Sequence, residues 1–102
     1  MSLATTLTQT DQNHPPLVLI HGLGSAATAF KPIIPALAQS FRVITVDLPG
    51  HGQSAYNKAQ AMDPKSLGRS VFESVESEYG IDKFHVAGNS LGGWIALEMA
   101  AD

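Results

Sequence analysis

The residue of this sequence best suited to nucleophilic chemistry is Ser90, which lies in Gly88-Asn89-Ser90-Leu91-Gly92. This Gly-x-Ser-x-Gly pattern follows a short apolar run and precedes an apolar, helix-prone segment. A serine at such a strand-to-helix corner has a strained backbone, which pushes its hydroxyl out of the sheet edge. The flanking glycines let strand and helix pass closely. The pattern predicts an acyl-transfer nucleophile; the alternative is a turn whose serine only caps the helix.

An acyl-transfer serine also needs backbone N–H groups that stabilise the developing oxyanion. Leu91, directly after the serine, would supply one of them at the start of a helix, whose dipole also favours negative charge. The second is expected from the loop after the first apolar run, His21-Gly22-Leu23-Gly24. Leu23 is the first candidate and Gly24 the second.

Three apolar runs would carry these loops: residues 17–20, 41–46 and 84–87. They are nearly continuous rather than alternating, which predicts strands buried on both faces of a parallel sheet. Residues 1–16 are polar and predict either a loose lead-in or an edge strand. Residues 17–102 are interpreted as one domain.

Three helical segments are predicted between and after these strands. The first has Pro32 in its opening turn, the second begins at Asp63-Pro64 and ends at Gly80, and the third covers residues 94–101. The third is apolar on most sides, so it is expected to be buried. The order β-α-β-α-β-α predicts an α/β three-layer sandwich with right-handed crossovers.

All three loops that follow the predicted strands would meet at one sheet edge, where ligands bind in such folds. Their sequences resemble the α/β-hydrolase family: His-Gly-Leu-Gly at 21–24, Asp-Leu-Pro-Gly-His-Gly-Gln-Ser at 47–54, and Gly-Asn-Ser-Leu-Gly-Gly at 88–93. The resemblance covers residues 17–102. It implies that the strands are the third, fourth and fifth of the family's eight, with residues 17–20 in the centre.

The resemblance also implies esterase-like hydrolysis of a small acyl substrate through an acyl-serine intermediate, without a cofactor or metal. The residues expected to shape or brace the motif loops rather than transfer protons are His21, Gly22, Gly24, Asp47, Gly50, His51, Gly52, Gly88 and Gly92. A serine nucleophile argues against haloalkane dehalogenases and epoxide hydrolases, which attack with a carboxylate. Esters, lactones, thioesters, amides and diketone carbon–carbon bonds all remain open as substrates.

The rest of the catalytic triad is missing. In this family an acid and then a histidine follow the serine. After Ser90 only Glu98 and Asp102 are acidic, and no histidine follows. His14 falls in the lead-in, and His85 is expected to be a core residue. We therefore expect a truncated N-terminal portion that is inactive alone and able to associate through an open sheet edge.

Two other functions are compatible with parts of the sequence. Gly22-x-Gly24-x-x-Ala27, followed later by Asp47, fits a dinucleotide-binding fingerprint. That fingerprint requires a helix directly at the glycines, where Pro32 and Pro35 would cost about 3 kcal/mol each. The second alternative is a non-catalytic α/β-hydrolase-like module that binds a ligand or partner.

Composition excludes several further classes. The chain has 102 residues, a formal net charge of -3 and no cysteine. It therefore has no basic face for nucleic acid or anionic membrane, and no thiol nucleophile or cysteine-ligated metal site. The longest apolar stretch, residues 17–20, is too short to span a bilayer, and the first residues do not resemble a signal peptide. A cytoplasmic location is the default expectation.

Overall fold

A computed structural model describes residues 3–8, 11, 13–56 and 58–101. The expectations for residues 1–2, 9–10, 12, 57 and 102 lie outside the described residues. The strands are β1 (Thr5–Leu7), β2 (Pro16–Ile20), β3 (Arg42–Val46) and β4 (His85–Gly88). The helices are α1 (Ile34–Leu37), α2 (Pro64–Tyr79) and α3 (Leu91–Ala101), with a 3₁₀ turn at Ala27–Phe30 before α1.

The sheet has the order β1-β3-β2-β4. β2 pairs in parallel with both β3 and β4, so that Val18 lies opposite Ile44 on one side and Val86 on the other. This confirms the predicted parallel core and its order, with each strand boundary within one residue of the prediction. The polar lead-in contributes an edge strand, since β1 pairs antiparallel with β3.

Alternating side chains of β2 build a core on each face of the sheet. Val18 and Ile20 pack in the cluster that contains α2 and α3 residues. Leu17 and Leu19 pack in a second cluster with side chains of α1 and the 3₁₀ turn. The predicted α/β fold with helices on both faces of the sheet is therefore confirmed.

The first helix differs from the prediction. α1 begins at Ile34 with Pro35 in its first turn, whereas Pro32 lies in the preceding turn. A helix that began at Pro32 would carry Pro35 where a backbone N–H is already needed, and the ring would clash with the preceding turn. Ile33, directly before α1, is 47% exposed.

Burial at the β4 side of the sheet was also predicted wrongly. His85, expected in the core, is exposed, and its ring makes a T-shaped contact with Phe41, with 6.1 Å between ring centroids. On α3, Ile95 is buried, but Trp94 is 59% and Leu97 73% exposed. The reason is that β4 is an edge strand among the described residues, so nothing there covers its outer side or the outer face of α3. None of the helices in the described ranges has the length and apolar character needed to cross a membrane.

Candidate active site

Ser90 lies at the carboxyl end of β4, immediately before the first residue of α3. Its φ is 57°, and among the described residues it is the one non-glycine residue with positive φ. This strained backbone was predicted from the sequence pattern. The Ser90 carbonyl accepts the Trp94 amide at 3.1 Å, so the helix ladder starts at the serine itself. The side chain is exposed, and its hydroxyl has no hydrogen-bond partner among the described residues.

The two glycines of the turn are required by close backbone contacts. A β-carbon at Gly92 would lie 2.7 Å from the His21 carbonyl oxygen and would overlap the Ile20 carbonyl. A β-carbon at Gly88 would overlap the backbone of Gly92. The start of α3 therefore passes directly across the ends of β2 and β4, which holds Ser90 at the sheet edge.

The loop after β2 lies against the serine. A β-carbon at Gly22 would be 3.5 Å from the Ser90 β-carbon. The Gly24 amide donates to His51 Nε2 at 2.9 Å and is therefore occupied. Within the part of the chain that the structure describes, the amides of Leu23 and Leu91 donate to no protein acceptor. Of the two loop candidates for an oxyanion donor, Leu23 is the one whose N–H is available.

His21 and His51 are both committed to backbone partners. His21 is 1% exposed; its Nε2 accepts the Leu48 amide at 3.0 Å and its Nδ1 faces the Gly22 carbonyl at 2.7 Å. Burial lowers the pKa of His21, and the nearby His51 lowers it further, against a raising effect of the Gly22 carbonyl. His51 Nδ1 faces the Pro49 carbonyl at 3.0 Å. Neither ring has a free lone pair with which to take a proton from Ser90.

Both oxygens of the Asp47 carboxylate accept backbone amides. Its Oδ1 accepts the Ala27 amide at 2.8 Å and its Oδ2 accepts the Gln53 amide at 3.0 Å. A side chain at Gly52, whose φ is 50°, would overlap the Asp47 carboxylate. The carboxylate therefore ties the chain after the first loop to the second loop.

Sequence reasoning missed the role of Ser54 at the end of the second motif. Its Oγ donates to the Asp47 carbonyl at 2.5 Å and accepts the Ala4 amide at 2.8 Å. This serine connects the lead-in to the second motif loop, and its burial at 7% exposure follows from that position. The sequence does show Ser54 as the last residue of the motif at 47–54, but the Ala4 amide that it binds lies 50 residues away in sequence.

The remaining acids and histidines lie elsewhere. His14 precedes β2 and His85 begins β4, so both are at the amino ends of parallel strands, opposite to Ser90. Glu98 lines an open groove of about 690 Å³ beside β4, between α2 and α3, and Ser90 is not part of that groove. Asp102 lies outside the described residues. The described residues therefore supply a candidate nucleophile and oxyanion donors, without an available base.

The local structure also disfavours the dinucleotide-binding alternative. The glycines at Gly22 and Gly24 are followed by a 3₁₀ turn and a four-residue helix rather than by a long helix that opens directly at the loop. The Asp47 carboxylate, which would bind a ribose hydroxyl in that reading, is occupied by two backbone amides.

Comparison with known protein families and relatives agrees with the resemblance found in the sequence motifs. Residues 15–102 match the model of the family described as "alpha/beta hydrolase fold". The chain is 36% identical over 88 residues to the magnesium-chelatase 30 kDa subunit of Rhodobacter capsulatus, covering 86% of this chain and 31% of that protein. It is 38% identical over 87 residues to the pimeloyl-[acyl-carrier protein] methyl ester esterase of Legionella pneumophila (85% and 32%).

Among solved structures, the enol-lactonase from Burkholderia xenovorans LB400 superposes with a TM-score of 0.87 at 28% identity. The match covers 97% of this chain and 38% of the lactonase. The chain thus spans about a third of the length of the relatives it matches.

Proposed function

The chain belongs to the α/β-hydrolase fold family, and we propose that it carries the nucleophile of a serine hydrolase that acts on a carboxylic ester or a similar acyl substrate. The observation that carries the proposal is the strained Ser90, with an unpartnered hydroxyl at the sheet edge and φ of 57°. The conformation costs free energy, and such strain is concentrated at functional sites.

In the proposed reaction, Ser90 Oγ attacks the acyl carbon of the substrate while a base takes the hydroxyl proton. The carbonyl oxygen becomes an oxyanion, which the amides of Leu91 and Leu23 stabilise. The C–O bond to the leaving group then breaks, and the alcohol departs with the proton returned by the base. Water attacks the acyl-serine in the same way, which releases the acid and regenerates the Ser90 hydroxyl.

We propose that the base and the acid that orients it are not among residues 1–102. The support is that both nitrogens of His21 and His51 face backbone groups, and that His14 and His85 lie at the opposite end of the sheet. The relatives named above are about three times as long, which leaves room for these groups. A polypeptide of residues 1–102 alone is then expected to hydrolyse no ester above background.

The test is ester hydrolysis by the intact natural protein with short-chain p-nitrophenyl esters. Ser90→Ala should lower kcat/KM by about four orders of magnitude or more, because it removes the group that forms the covalent intermediate. The matched control is Ser77→Ala, which changes an exposed serine of α2 and should leave kcat/KM unchanged. Full activity of Ser90→Ala would refute the assignment, and absence of activity towards all acyl substrates would favour a binding module.

A further inference from the structure

Two loops beside Ser90 hold each other through a reciprocal pair of histidines. His21, from the loop after β2, accepts the amide of Leu48 in the loop after β3, with 3.0 Å between the nitrogens. His51, from the loop after β3, accepts the amide of Gly24 in the loop after β2, at 2.9 Å. The ring centroids are 5.0 Å apart. We refer to these two rings and two amides as the histidine clasp.

The hydrogen bonds define the protonation state of both rings. A backbone N–H can only donate, so the Nε2 atom of each ring must carry a lone pair. Each ring proton is then on Nδ1, where the carbonyls of Gly22 and Pro49 accept it at 2.7 Å and 3.0 Å. Both histidines are therefore neutral in the closed clasp, since a proton on Nε2 would direct one N–H at another.

We propose that the histidine clasp positions the loop at residues 22–24 beside Ser90, and that protonation of His51 opens it and releases the Leu23 amide from the site. In this proposal His51 is a positioning residue that acts through Gly24, the neighbour of Leu23. The effect of the histidine clasp on catalysis rests on the proposed function, whereas the clasp itself is a property of the two loops.

His51 is the more accessible ring of the pair. It is half-buried, whereas His21 is 1% exposed and burial lowers the His21 pKa. Two other titratable residues belong to the second loop or follow it, Asp47 and Tyr56. Asp47 attracts a proton on His21, but its two oxygens already accept backbone amides. Tyr56 packs beside Gly50 in the second loop. The first proton opens the clasp because it places an N–H on the Nε2 atom that faces a backbone amide. It also opposes protonation of the other ring, since two imidazolium rings with centroids 5.0 Å apart would repel each other.

The test is NMR of the intact natural protein labelled with ¹⁵N-histidine and ¹⁵N-glycine. At about pH 8, both rings should be Nδ1–H tautomers. At a lower pH, where the ¹⁵N signals of His51 report a proton on Nε2, hydrogen exchange of the Gly24 amide, corrected for intrinsic rate, should rise about tenfold. His51→Gln, whose side-chain oxygen can accept at the former Nε2 position but does not titrate, should keep Gly24 protected at both values. His51→Phe should leave it unprotected at both, and the control His85→Gln, at an exposed ring on β4, should behave as wild type.

An Nε2–H tautomer of His51, or a Gly24 amide equally protected in wild type and His51→Phe, would overturn the proposal. The wild-type tautomer decides this even if His51→Phe does not fold. The kinetic counterpart is a fall in kcat of about tenfold to a hundredfold in His51→Phe, with partial rescue in His51→Gln. If ester hydrolysis depends on Ser90 but not on His51, the positioning role is wrong. If no hydrolysis is found while the NMR result holds, the clasp stands and the proposed function fails.

Discussion

Two neighbouring glycines at the start of α3 should respond very differently to substitution by alanine. At Gly92 a β-carbon would lie 2.7 Å from the His21 carbonyl oxygen and would overlap the Ile20 carbonyl. At Gly93 the nearest atom is the Gly88 carbonyl oxygen at 3.3 Å, a contact relieved by a shift of a few tenths of an ångström. Both positions are helical, so alanine has the same intrinsic advantage of about 1 kcal/mol over glycine at each.

Backbone atoms obstruct both positions, so the difference lies in how far they must move: a few tenths of an ångström at Gly93, but enough to relieve an overlap with the Ile20 carbonyl at Gly92. Overpacking among side chains costs about 1–3 kcal/mol, because rotamers can adjust. At Gly92 the obstructing atoms are backbone atoms at the end of the central strand β2, which cannot change rotamer. Gly92→Ala should therefore reduce the free energy of unfolding by about 3 kcal/mol or more. Gly93→Ala should stay within about 1 kcal/mol of wild type, with either sign.

Urea unfolding of the intact natural protein, followed by far-UV circular dichroism, measures this difference from the midpoints and slopes. Gly93→Ala serves as the control, since it changes the same atoms one residue further along the same helix. Equal stability of the two variants would mean that α3 does not cross the end of β2 at Gly92. The close approach that fixes the Ser90 turn would then be wrong.

Three further predictions concern the loops, α2 and the exposed apolar face. Asp47→Asn should lower the free energy of unfolding in urea by about 2 kcal/mol, because one of the two side-chain oxygens that accept backbone amides is replaced by an NH₂ donor. The control Asp82→Asn, at an exposed carboxylate, should leave the free energy of unfolding unchanged. The hydrogen bond from Ser66 lowers the pKa of the Asp63 carboxyl. The stabilisation that the Asp63 carboxylate gives α2 should therefore be lost as the pH falls through the folded-state pKa of Asp63. In Asp63→Asn, whose side chain still caps the helix but does not titrate, this pH dependence should be absent. A polypeptide of residues 1–102 alone should self-associate in sedimentation experiments. Replacing Trp94 and Leu97, which are 59% and 73% exposed, by Gln should reduce the self-association more than Ile33→Gln, at a side chain that is 47% exposed. A polypeptide that stays monomeric at high concentration would contradict this prediction.

The sequence predicts the parts of this fold that depend on local patterns. Apolar runs bounded by turn residues predicted three parallel strands, and the Gly-x-Ser-x-Gly pattern predicted the strained backbone of Ser90. The Asp63-Pro64 pair predicted the start of α2, where Asp63 accepts the Ser66 amide. In each case the cause lies within a few residues of the effect.

The sequence could not predict features that depend on distant partners. The exposure of His85 follows from the place of β4 at the sheet edge, which no pattern within residues 84–87 reveals. The histidine clasp joins residues 27 positions apart, so the sequence predicted two bracing histidines without predicting that each binds the other's loop.

The most direct test of the central claim is covalent labelling of the intact natural protein with a fluorophosphonate, followed by peptide mass spectrometry. A phosphonate reacts with a serine only where a base activates the hydroxyl and donors stabilise the oxyanion. We expect one adduct per chain on the peptide that contains Ser90, lost in Ser90→Ala and retained in Ser77→Ala. Stoichiometric labelling of a different residue, or labelling that persists in Ser90→Ala, would contradict the assignment of Ser90 as the nucleophile.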